Sequence, residues 1–202
     1  MFRPVFLTVI VLFLVLITLV FTIYSLRIHN RSESWTDKIS CPHIPALENC
    51  TNSNFPVLGG VDVISLWGSQ HKIGKPANYR THDGYKYHFE SESNANMFSK
   101  NPSKYIPQFG GFCSWGMSNE GPPTFVWTSN CLGPSCSLNA RLIYKDKLYL
   151  FLHSIPRSKF TRNIEANIKK GEARMREWFG TKPVPSNTTC IFSDYKLLKL
   201  GI

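Results

Sequence analysis

The stretch Asp83–Ser99, DGYKYHFESESNANMFS, decides the fold. Asp-Gly is a pair that two-residue hairpin turns favour, because both central positions of such a turn need positive φ. The residues after it, Tyr85–Phe89, alternate around aromatics, the period-two pattern of a half-buried strand. Ser91 then offers a hydroxyl to cap a helix over Ser91–Ser99, and Asn101-Pro102 stops it. Downstream, Arg141–Leu152 (RLIYKDKLYLFL) reads as a hairpin turning at Lys145-Asp146. Ser158–Phe179 reads as one helix, with Phe160, Ile164 and Ile168 on a shared face. Gly171 is expected to interrupt that helix and Gly180 to end it. The fold class is therefore α+β: a small domain of short antiparallel strands with packed helices.

Working outward, 202 residues allow one ordinary domain and an appendage. A hydrophobic content of 43% with 13% aromatics excludes a chain disordered throughout. No low-complexity tract, internal repeat or heptad run is evident, which argues against solenoid, collagen and coiled coil.

The appendage is N-terminal. Val5–Leu26 carries no charge, and its 22 residues would span about 33 Å as a helix, enough for a hydrocarbon core of about 30 Å. The run is longer than a signal-peptide core, and Tyr24-Ser25-Leu26-Arg27 lacks the small residues of a cleavage site. One N-terminal transmembrane helix, an uncleaved signal-anchor, is expected. Basic residues flank both ends and leave orientation open. The sequons at Asn30, Asn49 and Asn187, and all six cysteines, lie C-terminal to the run. They place the body in the lumen or outside the cell. The expected organisation is a cytosolic stub (1–4), the span (5–26), a stalk with Cys41 and Cys50 (27–54), the folded domain (55–180) and a tail (181–202).

The order of motifs adds to this. GGVDVISLWG (Gly59–Gly68), GKPANY (Gly74–Tyr79), YKYHFESESNANMF (Tyr85–Phe98), NPSKYIPQFGGFCSWG (Asn101–Gly116), KDKLYLFL (Lys145–Leu152) and a basic helix ending in EWFG (Glu177–Gly180) follow one another. This series resembles the stand-alone YHS-domain proteins over about residues 57–180, with PQFGGFC its most specific string. The resemblance implies a small YHS-like fold and a metal-binding tendency drawn from Cys-bearing relatives. His88 and Cys113 fall at the family's His and Cys positions. The chain departs from those relatives where Tyr87-His88-Phe89-Glu90-Ser91 replaces their Tyr-Phe-Cys-Ser step, and where Asn94 stands near a missing second cysteine.

Three chemistries compete for these residues. An imidazole and a thiolate suit zinc or copper, but a closed zinc site needs four ligands, and His71, His82 and His153 show no ligand spacing. Cys113 with His88 as base would make a thiol nucleophile, yet no third orienting residue is identifiable. In an oxidising compartment disulfides are the default for Cys41, Cys50, Cys113, Cys131, Cys136 and Cys190. Cys131 and Cys136 are spaced for a small loop, while Cys41 and Cys50 are placed to pair together or to tether Cys190. The helix over 158–178 is crowded with Lys and Arg. In a lumenal body those charges point to anionic glycans or lipid headgroups rather than nucleic acid. The functional expectation is a membrane-anchored ligand-binding or scaffolding module rather than an enzyme. Metal handling and thiol catalysis are the alternatives.

Overall fold

The computed structural model describes residues 15–20, 22, 50–119, 127, 129, 132–133 and 135–191. Two compact units divide the chain, Met1–Ser40 and Cys41–Ile202. In the first unit, residues 15–20 and 22 are helical and exposed. The rest of the expected span at 5–26 lies outside the described residues. Among the described residues no helix is long and apolar enough to cross a membrane.

The second unit is α+β, as its hairpin and capping signals require. Its strands are β1 (Lys75–His82), β2 (Tyr85–Phe89), β3 (Ser137–Tyr144) and β4 (Lys147–Phe151), forming two antiparallel hairpins. Its helices are α1 (Glu92–Lys100), α2 (Pro102–Tyr105), α3 (Ser114–Asn119), α4 (Ser154–Thr161) and α5 (Ile164–Phe179). Asp83 and Gly84 turn the first hairpin with φ of 49° and 81°. Lys145 and Asp146 turn the second at 47° and 54°. Ser91 caps α1 by accepting from the Asn94 amide.

The structure contains a repeat that the sequence reading misses. Pro56-Val57-Leu58-Gly59-Gly60 and Pro107-Gln108-Phe109-Gly110-Gly111 form the same turn. Leu58 and Phe109 have φ of 51° and 54°, Gly59 and Gly110 64° and 66°, Gly60 and Gly111 85° and 79°. Each turn is followed by a hairpin of one register. Lys75 pairs with Phe89 and, past an irregularity, Tyr79 with His88. Ser137 pairs with Phe151 and, past an irregularity, Arg141 with Leu150. Two residues beyond each second strand stands a helix cap, Ser91 or His153. The unit is thus two copies of a turn–hairpin–helix module. Little but prolines, glycines and the Tyr87/Tyr149 and Phe89/Phe151 pairs survives in both sequences, which is why self-similarity is hard to see in them.

β4 joins the copies. Leu148 and Leu150 enter a core cluster with Leu58, Tyr87, Phe89 and Phe98 of the first copy. Tyr149 and Phe151 point the opposite way, to Phe109, Phe112, Phe160 and Met175. A strand alternates its side chains between faces, so one buried on both faces can serve two cores.

A strap from the C-terminal side closes the structure. The amide of Leu58 donates to Asn187 O (2.9 Å), that of Gly59 to Thr188 O (2.8 Å), and that of Asn187 to Gly110 O (2.7 Å). Asn187 Nδ2 donates to Cys190 O at 2.9 Å and Gly111 O at 3.3 Å, and Asn187 Oδ1 accepts from the Cys190 amide. Gly110 lacks a side chain because a Cβ there would strike the Pro185 carbonyl. The Cys50–Cys190 disulfide fixes the strap across 140 residues of sequence. A loop of that length gives up to about 5 kcal/mol in the chain-entropy account. The packed body therefore extends beyond 55–180 to take in Cys50 and the strap through Ile191.

Two local readings change. The expected helix over Ser158–Phe179 is two helices. Asn163 leaves the helical region (φ −145°, ψ 59°), and Asn167 Nδ2 donates to the Phe160 carbonyl left open at the end of α4. Helix α4 starts earlier, at Ser154, where Pro156 falls in the first turn and costs no intrahelical bond. Gly171 does not interrupt α5. It is buried there, and a Cβ would overlap the Phe109 ring.

Two substitutions test this packing. Gly171→Ala gains about 1 kcal/mol of helix propensity but overpacks Phe109 by about 1–3 kcal/mol. Net destabilisation, read as a lower urea midpoint, is expected. Asn187→Ala leaves several buried backbone groups without partners and should cost about 3 kcal/mol by the same measurement.

Candidate functional site

The second copy carries a surface cleft of about 680 Å³ between the β3–β4 hairpin and α5. That volume is in the range of small-molecule sites. The hairpin supplies Tyr144, Lys145, Lys147 and Tyr149, and α5 supplies the opposite wall. The helical period sorts the helix's charges. Glu165, Lys169, Glu172 and Arg176 line the cleft together with Ala166 and Ile168. Lys170 reaches instead toward Asn119 Oδ1 (3.3 Å) and Arg174 toward Gly116 O (3.3 Å), both of α3. The basic helix read from the sequence is therefore divided between a cleft wall and a packed flank.

At the rim Lys145 pairs with Glu165, and the Tyr144 hydroxyl donates to the same carboxylate at 2.6 Å. The hydrogen bond from Lys145, then that from Tyr144, holds the Glu165 carboxyl below its ordinary value. The same carboxylate raises Tyr144 and Lys145. These groups are exposed, so the pair adds little stability. Its effect is to fix the hairpin tip against α5.

Deeper in, Tyr149 is 3% exposed and its ring lies against Phe109 and Phe160, with centroids 6.0 and 5.7 Å away. Burial first, then the carboxylates of Glu172 and Glu165, push its phenol up to about 12. It is a neutral hydroxyl at physiological pH. The sequence reading takes Tyr149 only as a strand aromatic, since nothing local distinguishes it from its neighbours.

The residues singled out from the sequence are dispersed. His88 sits half-buried on β2, with Nδ1 3.1 Å from where a Cβ on Gly60 would stand. Cys113 is 1% exposed in the other core cluster and bridges Leu150 of β4. In the repeat, the counterpart of Cys113 is Asp62, and that of His88 is Leu150. The two candidate ligands thus hold non-equivalent positions in different copies. His82 lies 3.5 Å from Asp83, and His153 caps α4. Among the described residues no group of three or more His, Cys, Asp or Glu side chains is disposed to hold a metal ion. Among the described residues, the donor set around His88 and Cys113 does not supply the ligands that the zinc or copper of the resemblance would need. Burial also closes Cys113 to an incoming substrate, against its use as a nucleophile.

Asp62 is a residue the sequence reading passes over. Wholly buried, its carboxylate accepts from the amides of Ile64 and Glu90 and from Asn94 Nδ2, at 2.9, 2.9 and 2.7 Å. Asn94 thus has a structural use, tying α1 to the first turn.

Cys50 pairs with Cys190, one of the pairings left open by the sequence. Cys136 is buried beside the strap, with Asn187 Nδ2 3.7 Å from its sulfur. Cys41, Cys131, Asn30 and Asn49 lie outside the described residues. Asn187 is wholly buried with its amide nitrogen engaged, so a glycan on that nitrogen and this fold exclude one another.

No family model, curated protein or solved structure matches the chain.

His88 gives a pH test. Burial, then the charge of Lys86, lowers its pKa from 6.5. Below about pH 6.5 the unfolded chain binds the proton that the native state resists, so stability falls as pH drops through the lowered value. His88→Gln should flatten the decline in urea midpoint between about pH 7 and pH 5.

Proposed function

We propose that this chain is a membrane-anchored ectodomain of the secretory pathway that binds an anionic ligand. The observation that carries this reading is the cleft of the second copy, where four cationic side chains face two carboxylates around a buried tyrosine. An anion entering it meets an excess of exposed positive charge beside a buried aromatic, an attraction that salt screens. Binding rather than catalysis is favoured because Cys113 is sealed in the core and His88 belongs to the other copy.

The compartment is supported by the Cys50–Cys190 disulfide, a bond that persists under oxidising conditions. The anchor is supported by the uncharged run 5–26 and by its described helical residues. There Thr18 Oγ1 donates to Val15 O and Thr22 Oγ1 to Thr18 O, leaving neither hydroxyl without a partner in hydrocarbon. The likeness to stand-alone YHS-domain proteins is part of this proposal. It is supported by the match between their strand–helix step and the capped β2–α1 junction.

Topology is tested in cells expressing the full chain. Protease should spare the body in intact microsomes and digest it only after permeabilisation. Endoglycosidase should increase gel mobility, and Asn49→Gln should abolish that shift if Asn49 carries the glycan. A body digested in intact microsomes, with no mobility shift, would sink the reading.

A further inference from the structure

The two copies supply an internal comparison. Tyr87 and Tyr149 hold the same place in their hairpins, and they are 2% and 3% exposed. The Tyr87 hydroxyl lies 3.4 Å from Ser186 Oγ of the strap. The Tyr149 hydroxyl has no hydrogen-bond partner among the described residues, and the residue lines the cleft. Its ring is buried, but its oxygen is not among the solvent-sealed side-chain atoms that lack a partner, where Trp67 Nε1 stands alone among the described residues, so it reaches the open cleft. The fold completes one of the two hydroxyls and turns the other to open space.

The charges around it define what would complete it. Lys145 is already matched by Glu165 at the rim. Lys147, Lys169 and Arg176 make no ion pair among the described residues, and Glu172 is the remaining carboxylate of the wall. Three cations against one carboxylate leave an excess of positive charge that suits an anionic ester. Ala166 and Ile168 add an apolar stretch, and Glu172 can accept from ring hydroxyls that a bare inorganic ion lacks.

We propose that the cleft binds a sugar-sized ring bearing a sulfate or phosphate monoester. The Tyr149 hydroxyl donates to an ester oxygen, and Lys147, Lys169 and Arg176 neutralise its charge. This rests on the reading of the chain as an anion-binding module and names the ligand class. Because the phenol keeps its proton at neutral pH, it acts as a donor and adds no negative charge to the site.

The test is calorimetric titration of the full chain in nonionic micelles. The probes are a sulfate ester of N-acetylglucosamine and an inositol monophosphate, with unesterified N-acetylglucosamine and inorganic phosphate as references. At least one ester should bind at least about 10-fold more tightly than either reference, and more weakly as salt is raised. The tighter of the two identifies a glycan or a lipid headgroup as the source. Tyr149→Phe retains the ring and removes a hydroxyl that nothing in the protein satisfies. It should keep or raise the thermal midpoint while weakening the ester about 10-fold or more, the loss of one hydrogen bond to a charged group. Arg176→Gln should weaken the ester and reduce its salt dependence. No saturable binding of either ester, or equal binding by wild type and both variants, overturns the proposal. A lumenal body that binds neither ester refutes the ligand class alone. A cytosolic body refutes the ectodomain reading whatever the cleft binds.

Discussion

The backbone of Asn187 and Thr188 is the joint on which the rest of the structure depends. It accepts from the turn of the first copy through Leu58 and Gly59, and it donates to the turn of the second through Gly110. Leu58 and Phe109 are held at positive φ, which costs a non-glycine residue about 1–2 kcal/mol. The conformation persists because both side chains are buried and the strap satisfies the polar groups beside them. Without the strap, the first turn would leave two backbone donors, and the second its Gly110 and Gly111 carbonyls, without these partners beside the core, where unpaired groups are expensive.

The duplicated module explains how a small body supports both a rigid frame and an open cleft. In the first copy the hairpin is followed closely by α1, and Arg80 ties β1 to that helix through Glu92, Asn96 and Ser99. In the second copy the corresponding helix α4 is followed by α5, which lies across the hairpin tip and forms the far wall of the cleft. Ser186 of the strap reaches the Tyr87 hydroxyl, and among the described residues no strap group hydrogen-bonds that of Tyr149. One module lent stability and its copy accessible surface, a division made by what is packed on each and not by the hairpins themselves.

The sequence made the local structure legible and the distant structure opaque. Both hairpin turns, the strand Tyr85–Phe89 and the Ser91 cap follow from residues adjacent in the chain. The break between α4 and α5 does not, because it depends on Asn167 reaching back to Phe160. Gly171 looks like a helix breaker until the Phe109 ring is seen against it. The sequon at Asn187 is a three-residue pattern, whereas its burial comes from two turns more than 70 residues upstream. At the candidate site, the lysines and arginines of the last helix were evident. Their division between cleft and flank, and the open hydroxyl of Tyr149, required tertiary packing that no short pattern encodes.

The strap also sets a timetable for biosynthesis. The first module is complete in sequence at Tyr105, but the groups that satisfy its turn arrive with Asn187 and Thr188. At translation rates of about 5–20 residues per second, that interval is on the order of 10 s. Through it, Leu58 and its neighbours have left the ribosome with their final partners still unmade. Cys50 likewise waits for Cys190, and other cysteines are synthesised in between.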